Sequence, residues 1–154
     1  MKKDSNTKYF KFATTGNPNI RSCDCVVRSI SLALDRTWNE VFDDLCDIAR
    51  IKKRMPNETI IYQEYLKKNA FTKFSCPKKS NNKKYTGIEF LEKIKSLDLN
   101  LSAVCHMGSG HMSCIKDNKF MDIWNCSNNC VGNIYIHRPS QRMIKKLTGF
   151  IKPK

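Results

Sequence analysis

The sequence lacks any apolar run long enough to cross a bilayer, for which about 20 consecutive residues are needed. Residues 1–10 are polar and carry lysines, without the apolar segment that a secretory signal peptide contains. These two absences argue against a membrane-spanning or secreted protein. We therefore expect a globular protein of the cytoplasm with no membrane partner.

Acidic residues are scarce: 14 Asp and Glu stand against 28 Lys and Arg, which gives a net charge of +14. An excess of this size attracts nucleic acids, anionic membranes or acidic proteins through non-specific electrostatics. Because the lysines are spread along the whole chain, a role in solubility is an equally good interpretation. The net charge alone therefore does not identify a binding partner.

A recognisable nucleic-acid-binding motif is also absent, although residues 76–85 form a strongly basic stretch. Its basic residues are Lys78, Lys79, Lys83 and Lys84. Lysines of this stretch and of the C-terminal tail are able to follow phosphates, and Tyr85 or Tyr135 to stack on bases. We favour a solvent-exposed basic loop over a nucleic-acid partner, because no motif accompanies the lysines.

The eight cysteines include no Cys-x-x-Cys pair, the strong signature of a zinc site. They are Cys23, Cys25, Cys46, Cys76, Cys105, Cys114, Cys126 and Cys130. Without a secretory signal, such thiols are expected to be reduced rather than disulfide-bonded. Cys126 and Cys130 flank a loop and are the best candidates for half of a metal site, but we expect unpaired thiols, no metal and no cofactor.

The hydrophobic pattern changes period along the chain, and a length of 154 residues is typical of one domain. Helices are predicted over 25–34, 38–54, 60–69 and 87–97, with capping boxes at Thr37 and Thr86. Strands are predicted over 71–74, 99–105, 111–116, 119–124 and 134–136. We therefore predict one α+β domain over residues 1–154, with N-terminal helices packed on a C-terminal antiparallel sheet. Residues 17–137 form its core, residues 1–22 a loop leading into the first helix, and 138–154 a basic tail.

One cysteine, Cys25, stands at the start of the first predicted helix, after Asp24 at the N-cap position. A thiol there faces unpaired N–H groups and the positive end of the helix dipole, which favour the nucleophilic thiolate. Cys25 is therefore a candidate nucleophile, with Cys23 as a less well placed rival. The alternative is a small buried residue, since free cysteine is among the most buried residue types.

The strands over 111–116 and 119–124 are predicted to form a hairpin with a two-residue turn at Asp117-Asn118. In this register Lys116 faces Lys119, and residues two apart on a strand share a face of the sheet.

His111 and Asp122 then lie on one face as diagonal neighbours, close enough for an imidazole and a carboxylate to meet. Asn125 falls on the opposite face. A histidine held by a carboxylate is what a cysteine nucleophile needs in order to give up its proton. The alternatives are a surface histidine with an unrelated aspartate, and His106 as a rival base.

The ordered combination of these motifs resembles the papain-like cysteine peptidase superfamily, in particular its small bacterial and phage members. The resemblance rests on the string Asp24–Arg28, on Gly110-His111 and on residues 121–125, and it covers about residues 17–137. It implies Cys25 as nucleophile, His111 as base and Asp122 as the orienting acid. It also implies hydrolysis of a peptide, isopeptide or amide bond in a protein or peptide substrate, through a thioester.

The resemblance further implies an oxyanion hole made by the Cys25 N–H and a polar side chain upstream. Papain-like enzymes commonly have Gln there, whereas no Gln precedes Cys25 in this sequence. Asn19 is the best substitute and Asn17 the next. The missing Gln keeps an alternative open, in which a catalytically weak papain-like scaffold binds protein or nucleic acid.

Overall fold

A computed structural model of the chain describes residues 4–16 and 23–154. The helices are α1 (Cys25–Leu34), α2 (Trp38–Lys52), α3 (Thr59–Lys68), α4 (Gly87–Ser96) and α5 (Gln141–Leu147). The strands are β1 (Phe10–Phe12), β2 (Phe71–Phe74), β3 (Ala103–Met107), β4 (His111–Lys116), β5 (Lys119–Asp122) and β6 (Val131–His137). Within these described ranges, none of the helices combines the length and apolar character that a membrane span requires.

The six strands form one mixed sheet in the order β1-β5-β4-β3-β6-β2. The α+β class is therefore confirmed, but the prediction of a purely antiparallel sheet is wrong. β1 pairs in parallel with β5, with Phe10 opposite Phe120 and Phe12 opposite Asp122. A strand of three residues is too short to show a period of two, and the sequence alone therefore indicates a loop over residues 1–22.

The predicted helix starts are confirmed where side chains cap the first turn. Thr37 accepts a hydrogen bond from the backbone of Glu40 while the Glu40 carboxylate binds the backbone of Thr37, and Thr86 and Glu89 repeat this capping box before α4. α1 spans the residues predicted for it, and its buried face includes Val26 and Ile30.

The sheet lies between two helical layers. α1, α2 and α3 pack on one face, against residues such as Val104 and Cys114. α4 and the C-terminal segment pack on the other face, against neighbours of opposite parity such as Ala103 and Ile115. The alternation of side chains along β3 and β4 thus builds one apolar core on each side of the sheet.

The hairpin between β4 and β5 has the predicted turn and register. Asp117 and Asn118 adopt φ values of 52° and 55°, as a two-residue type I′ turn requires, and Lys116 faces Lys119. β5 ends at Asp122 rather than at residue 124, and β3 begins only at Ala103 rather than at residue 99.

Residues outside 17–137 also contribute apolar side chains to the interior of the domain. Phe10 is fully buried, as is Leu147 on α5, and Ile151 is almost fully buried. Beyond α5 the backbone runs beside β2, where the Lys154 N–H donates to the Lys73 carbonyl at 2.8 Å. The segment described as a basic tail is therefore part of the folded domain.

Candidate functional site

Cys25 is the first residue of α1 and is half-buried. Its thiol therefore lies at a helix start, where the backbone N–H groups of the first turn have no helical acceptor. Asp24 occupies the predicted N-cap position, but its carboxylate binds the side chains of Arg28 and Trp38. Among the described residues, it makes no capping hydrogen bond to the first turn.

His111 and Asp122 are in direct contact. His111 begins β4 and Asp122 ends β5, so the antiparallel pairing brings both to the same end of the sheet. The Nε2 atom of His111 lies 2.7 Å from Oδ2 of Asp122, and the two side chains are 16% and 2% exposed. Because Asp122 engages Nε2, the Nδ1 atom of the ring remains for another partner.

Cys25 and His111 line the same cavity, so the thiol of Cys25 is the candidate for that position. Burial alone would raise the pKa of Cys25, but the interaction with His111 and the nearby positive charges outweigh it and lower the pKa. Burial would likewise lower the pKa of His111, but the hydrogen bonds to Asp122, Cys126 and Cys25 raise that pKa to about 11. The two shifts favour the thiolate form of Cys25 and the imidazolium form of His111.

Arg28 links the helix that carries Cys25 to the acid that binds His111. Its guanidinium forms buried ion pairs with Asp24 and, from Nη2, with Oδ1 of Asp122 at 3.3 Å. The second oxygen of Asp24 accepts a hydrogen bond from the indole Nε1 of Trp38 at 2.9 Å. The buried carboxylates are thus neutralised and hydrogen-bonded, as burial of charge requires.

Cys126 is a buried neighbour of the pair that sequence reasoning did not place there. Its Sγ lies 3.9 Å from Oδ2 of Asp122, and potential ligand atoms of His111, Asp122 and Cys126 lie within 4.8 Å of one another. Of the two cysteines considered as half of a metal site, Cys126 is buried and Cys130 is exposed. All eight cysteines are free thiols.

A cavity of about 230 Å³ opens beside Cys25, and Cys23 also lines it. His106 lies on its wall, where its Nε2 is 2.9 Å from the hydroxyl of Tyr62, and burial lowers its pKa. Among the described residues, His111 rather than the rival His106 therefore has the carboxylate partner.

Asn125 lies beyond the end of β5, so the hairpin register does not extend to it. Its Oδ1 accepts hydrogen bonds from the backbone N–H and the hydroxyl of Ser127, at 3.1 and 2.6 Å. The two candidates for the second oxyanion donor, Asn19 and Asn17, fall outside the described residues.

Most of this geometry follows from motifs that are visible in the sequence. Arg28 was visible only as the residue four positions after Asp24, a spacing that places both on one helical face. The sequence does not indicate that Cys126 and Tyr62 lie at the site, because their positions depend on how segments far apart in the chain pack together. In comparisons of the sequence and the fold with known proteins, no family model, no curated protein and no solved structure matches the chain.

Proposed function

We propose that this protein is a cysteine-dependent hydrolase with a papain-like arrangement of Cys25, His111 and Asp122. The observation that carries the proposal is the 2.7 Å contact between His111 and Asp122, beside a thiol at the start of a helix. In the proposed arrangement, Asp122 holds the imidazole through Nε2 and leaves Nδ1 to act on Cys25. This is the division of labour that a nucleophile, a base and an orienting acid need.

In the proposed reaction, the Cys25 thiolate attacks the carbonyl carbon of an amide or peptide bond. The carbonyl oxygen becomes an oxyanion, which the Cys25 backbone N–H stabilises at the helix start, and Asn19 is the proposed second donor. The imidazolium of His111 gives its proton to the leaving nitrogen as the carbon–nitrogen bond breaks. Water then attacks the thioester with His111 as base, which releases a carboxylic acid and restores the thiol.

Asp122 and Arg28 act on this reaction through His111. The carboxylate of Asp122 holds the ring orientation and stabilises the imidazolium. Arg28 neutralises Asp122 from the opposite oxygen and contributes positive charge near Cys25. We also propose a reducing compartment such as the cytoplasm, since eight free thiols fit one.

An acylation burst tests the proposal directly. p-Nitrophenyl acetate should acetylate Cys25 and release p-nitrophenol in a burst close to one equivalent of enzyme, with the adduct mapped by mass spectrometry. Cys25→Ala should abolish the burst. Cys46→Ser provides a matched control, because this thiol lies on α2 and burial raises its pKa.

The proposal is wrong if Cys25→Ala keeps the burst, or if the acetyl group maps to another cysteine. The catalytically weak scaffold is the correct alternative if Cys25 is acetylated once at the rate of a free thiol and the His111→Ala variant behaves identically.

A further inference from the structure

The two larger cavities lie at the β2 edge of the sheet and are lined by positive charge. One, of about 790 Å³, is an open cavity lined by the loop after β2, by α4 and by the C-terminal segment. Its cationic residues are Lys78, Lys79, Lys93, Lys152 and Lys154. Lys79 pairs with Glu89 at 2.5 Å, so this cavity keeps a surplus of positive charge.

The other cavity, of about 630 Å³, lies between α3, β2 and the end of β6. Its cationic residues are Lys67, Lys73, Arg138 and Lys154. Lys154 lines both cavities, and neither has an Asp or Glu in its lining within the part of the chain that the structure describes. We call the two cavities together the lysine groove.

A single layer of rings separates the lysine groove from the Cys25 cavity. Tyr62 and His106 line the Cys25 cavity, whereas Tyr135 lines the groove. The Tyr135 ring centroid lies 6.3 Å from that of Tyr62 and 6.0 Å from that of His106. The part of the groove that Tyr135 lines is therefore adjacent to the wall of the Cys25 cavity.

The chemistry of the groove favours carboxylates over nucleic acid. Single-stranded nucleic acid is held largely by stacking on exposed aromatic rings. Among the rings that line the groove, Tyr135 is 2% exposed, and Tyr85 and Phe150 are half-buried with the ammonium groups of Lys79 and Lys93 over them. The groove thus presents lysine charges rather than open ring faces.

We propose that the substrate is a polypeptide with an acidic segment, which binds in the lysine groove while a small uncharged residue occupies the Cys25 cavity. This inference rests on the proposed function, because the nucleophile determines that an acyl group is attacked. The uncharged residue follows from the Cys25 cavity itself, which has a volume of about 230 Å³ and, among the residues that the structure describes, no Lys, Arg, Asp or Glu in its lining.

An affinity-labelling experiment tests this inference on the whole chain. Three iodoacetyl reagents are compared, in which the iodoacetyl group is joined through a short glycine spacer to octa-glutamate, octa-glutamine or octa-thymidylate. In each, the sulfur of Cys25 displaces iodide and forms a thioether. We expect octa-glutamate to label Cys25 about tenfold faster than octa-glutamine, and added salt to reduce this preference.

Charge-reversal variants test whether the preference for octa-glutamate over octa-glutamine depends on the lysine groove. Lys73→Glu with Lys154→Glu should abolish it, because both residues line the groove. Lys11→Glu with Lys95→Glu is the matched control, since Lys11 lies on β1 and Lys95 lines a cavity with Tyr9 near that opposite edge. The control changes the net charge equally and should keep the preference.

Equal rates for glutamate and glutamine reagents overturn the inference, as does an equal loss of preference in both variants. Faster labelling by octa-thymidylate overturns it in favour of nucleic acid. Plain iodoacetamide separates these failures from failure of the proposed function, because it reports the reactivity of Cys25 independently of the groove.

Discussion

The guanidinium of Arg28 lies 3.3 Å from Oδ1 of Asp122, while Oδ2 of the same carboxylate lies 2.7 Å from His111. A residue one turn beyond Cys25 on α1 therefore contacts the acid that orients the histidine. The buried guanidinium of Arg28 therefore connects α1 with the β4–β5 hairpin at the site.

Arg28→Met should destabilise the fold, because it removes the cation that two buried carboxylates, those of Asp24 and Asp122, share. We expect a loss of about 3–5 kcal/mol in the free energy of unfolding, measured in urea. Arg28→Lys, which keeps the charge but loses the fork that reaches two carboxylates, should lose less. A loss below about 1 kcal/mol for Arg28→Met would show that the ion pairs do not hold the helix to the hairpin.

Asp122→Asn should keep the fold and lower turnover by about four orders of magnitude, because the imidazole loses the partner that fixes its tautomer. Asn125→Ala is the matched control, since Asn125 binds Ser127 instead of His111. Where no substrate is known, the rate of Cys25 alkylation at neutral pH replaces turnover. Loss of reactivity in Asn125→Ala with retention in Asp122→Asn would assign the acid's role to Asn125.

The pH dependence of Cys25 alkylation should shift when His111 is removed. Contact with His111 lowers the pKa of Cys25, whereas burial alone raises it. The wild-type rate should therefore rise with pH at a lower pH than for an ordinary thiol, and His111→Ala should move this rise to higher pH. His106→Gln, a control on the cavity wall, should leave the profile in place; a shift in this variant alone would make His106 the base.

Gly87→Ala should destabilise the domain without touching the site. A Cβ at Gly87 would lie 2.6 Å from the ring of Phe120 and 2.7 Å from the backbone oxygen of Ser127. We expect a loss of about 1–3 kcal/mol in the free energy of unfolding. Gly149→Ala has open space around it and should cost much less. Equal effects would show that α4 does not pack this closely on β5.

The part of the site that the sequence predicted depends on local rules. The start of α1 follows from helical spacing, and the meeting of His111 with Asp122 follows from the two-residue turn and the alternation of strand side chains. These local rules are enough to predict that His111 contacts Asp122, and the rest of the fold is not needed for this prediction.

The part that the sequence did not predict depends on packing between distant segments. β1 pairs with β5 across more than 100 residues, and its three residues carry no periodic signal. Cys126 joins the site through the path of the loop after β5. Residues 138–154 are rich in basic side chains, and the sequence therefore did not indicate that Leu147 and Ile151 complete the apolar core.

The central claim is that His111 activates Cys25, and competitive alkylation of all eight cysteines tests it most directly. Folded protein is treated with limiting iodoacetamide at neutral pH, unfolded, labelled with a heavy reagent and mapped by mass spectrometry. The account predicts that Cys25 reacts faster than the other seven thiols in the wild type and loses this advantage in His111→Ala. Fastest reaction at Cys23, or an unchanged Cys25 rate in His111→Ala, would contradict it.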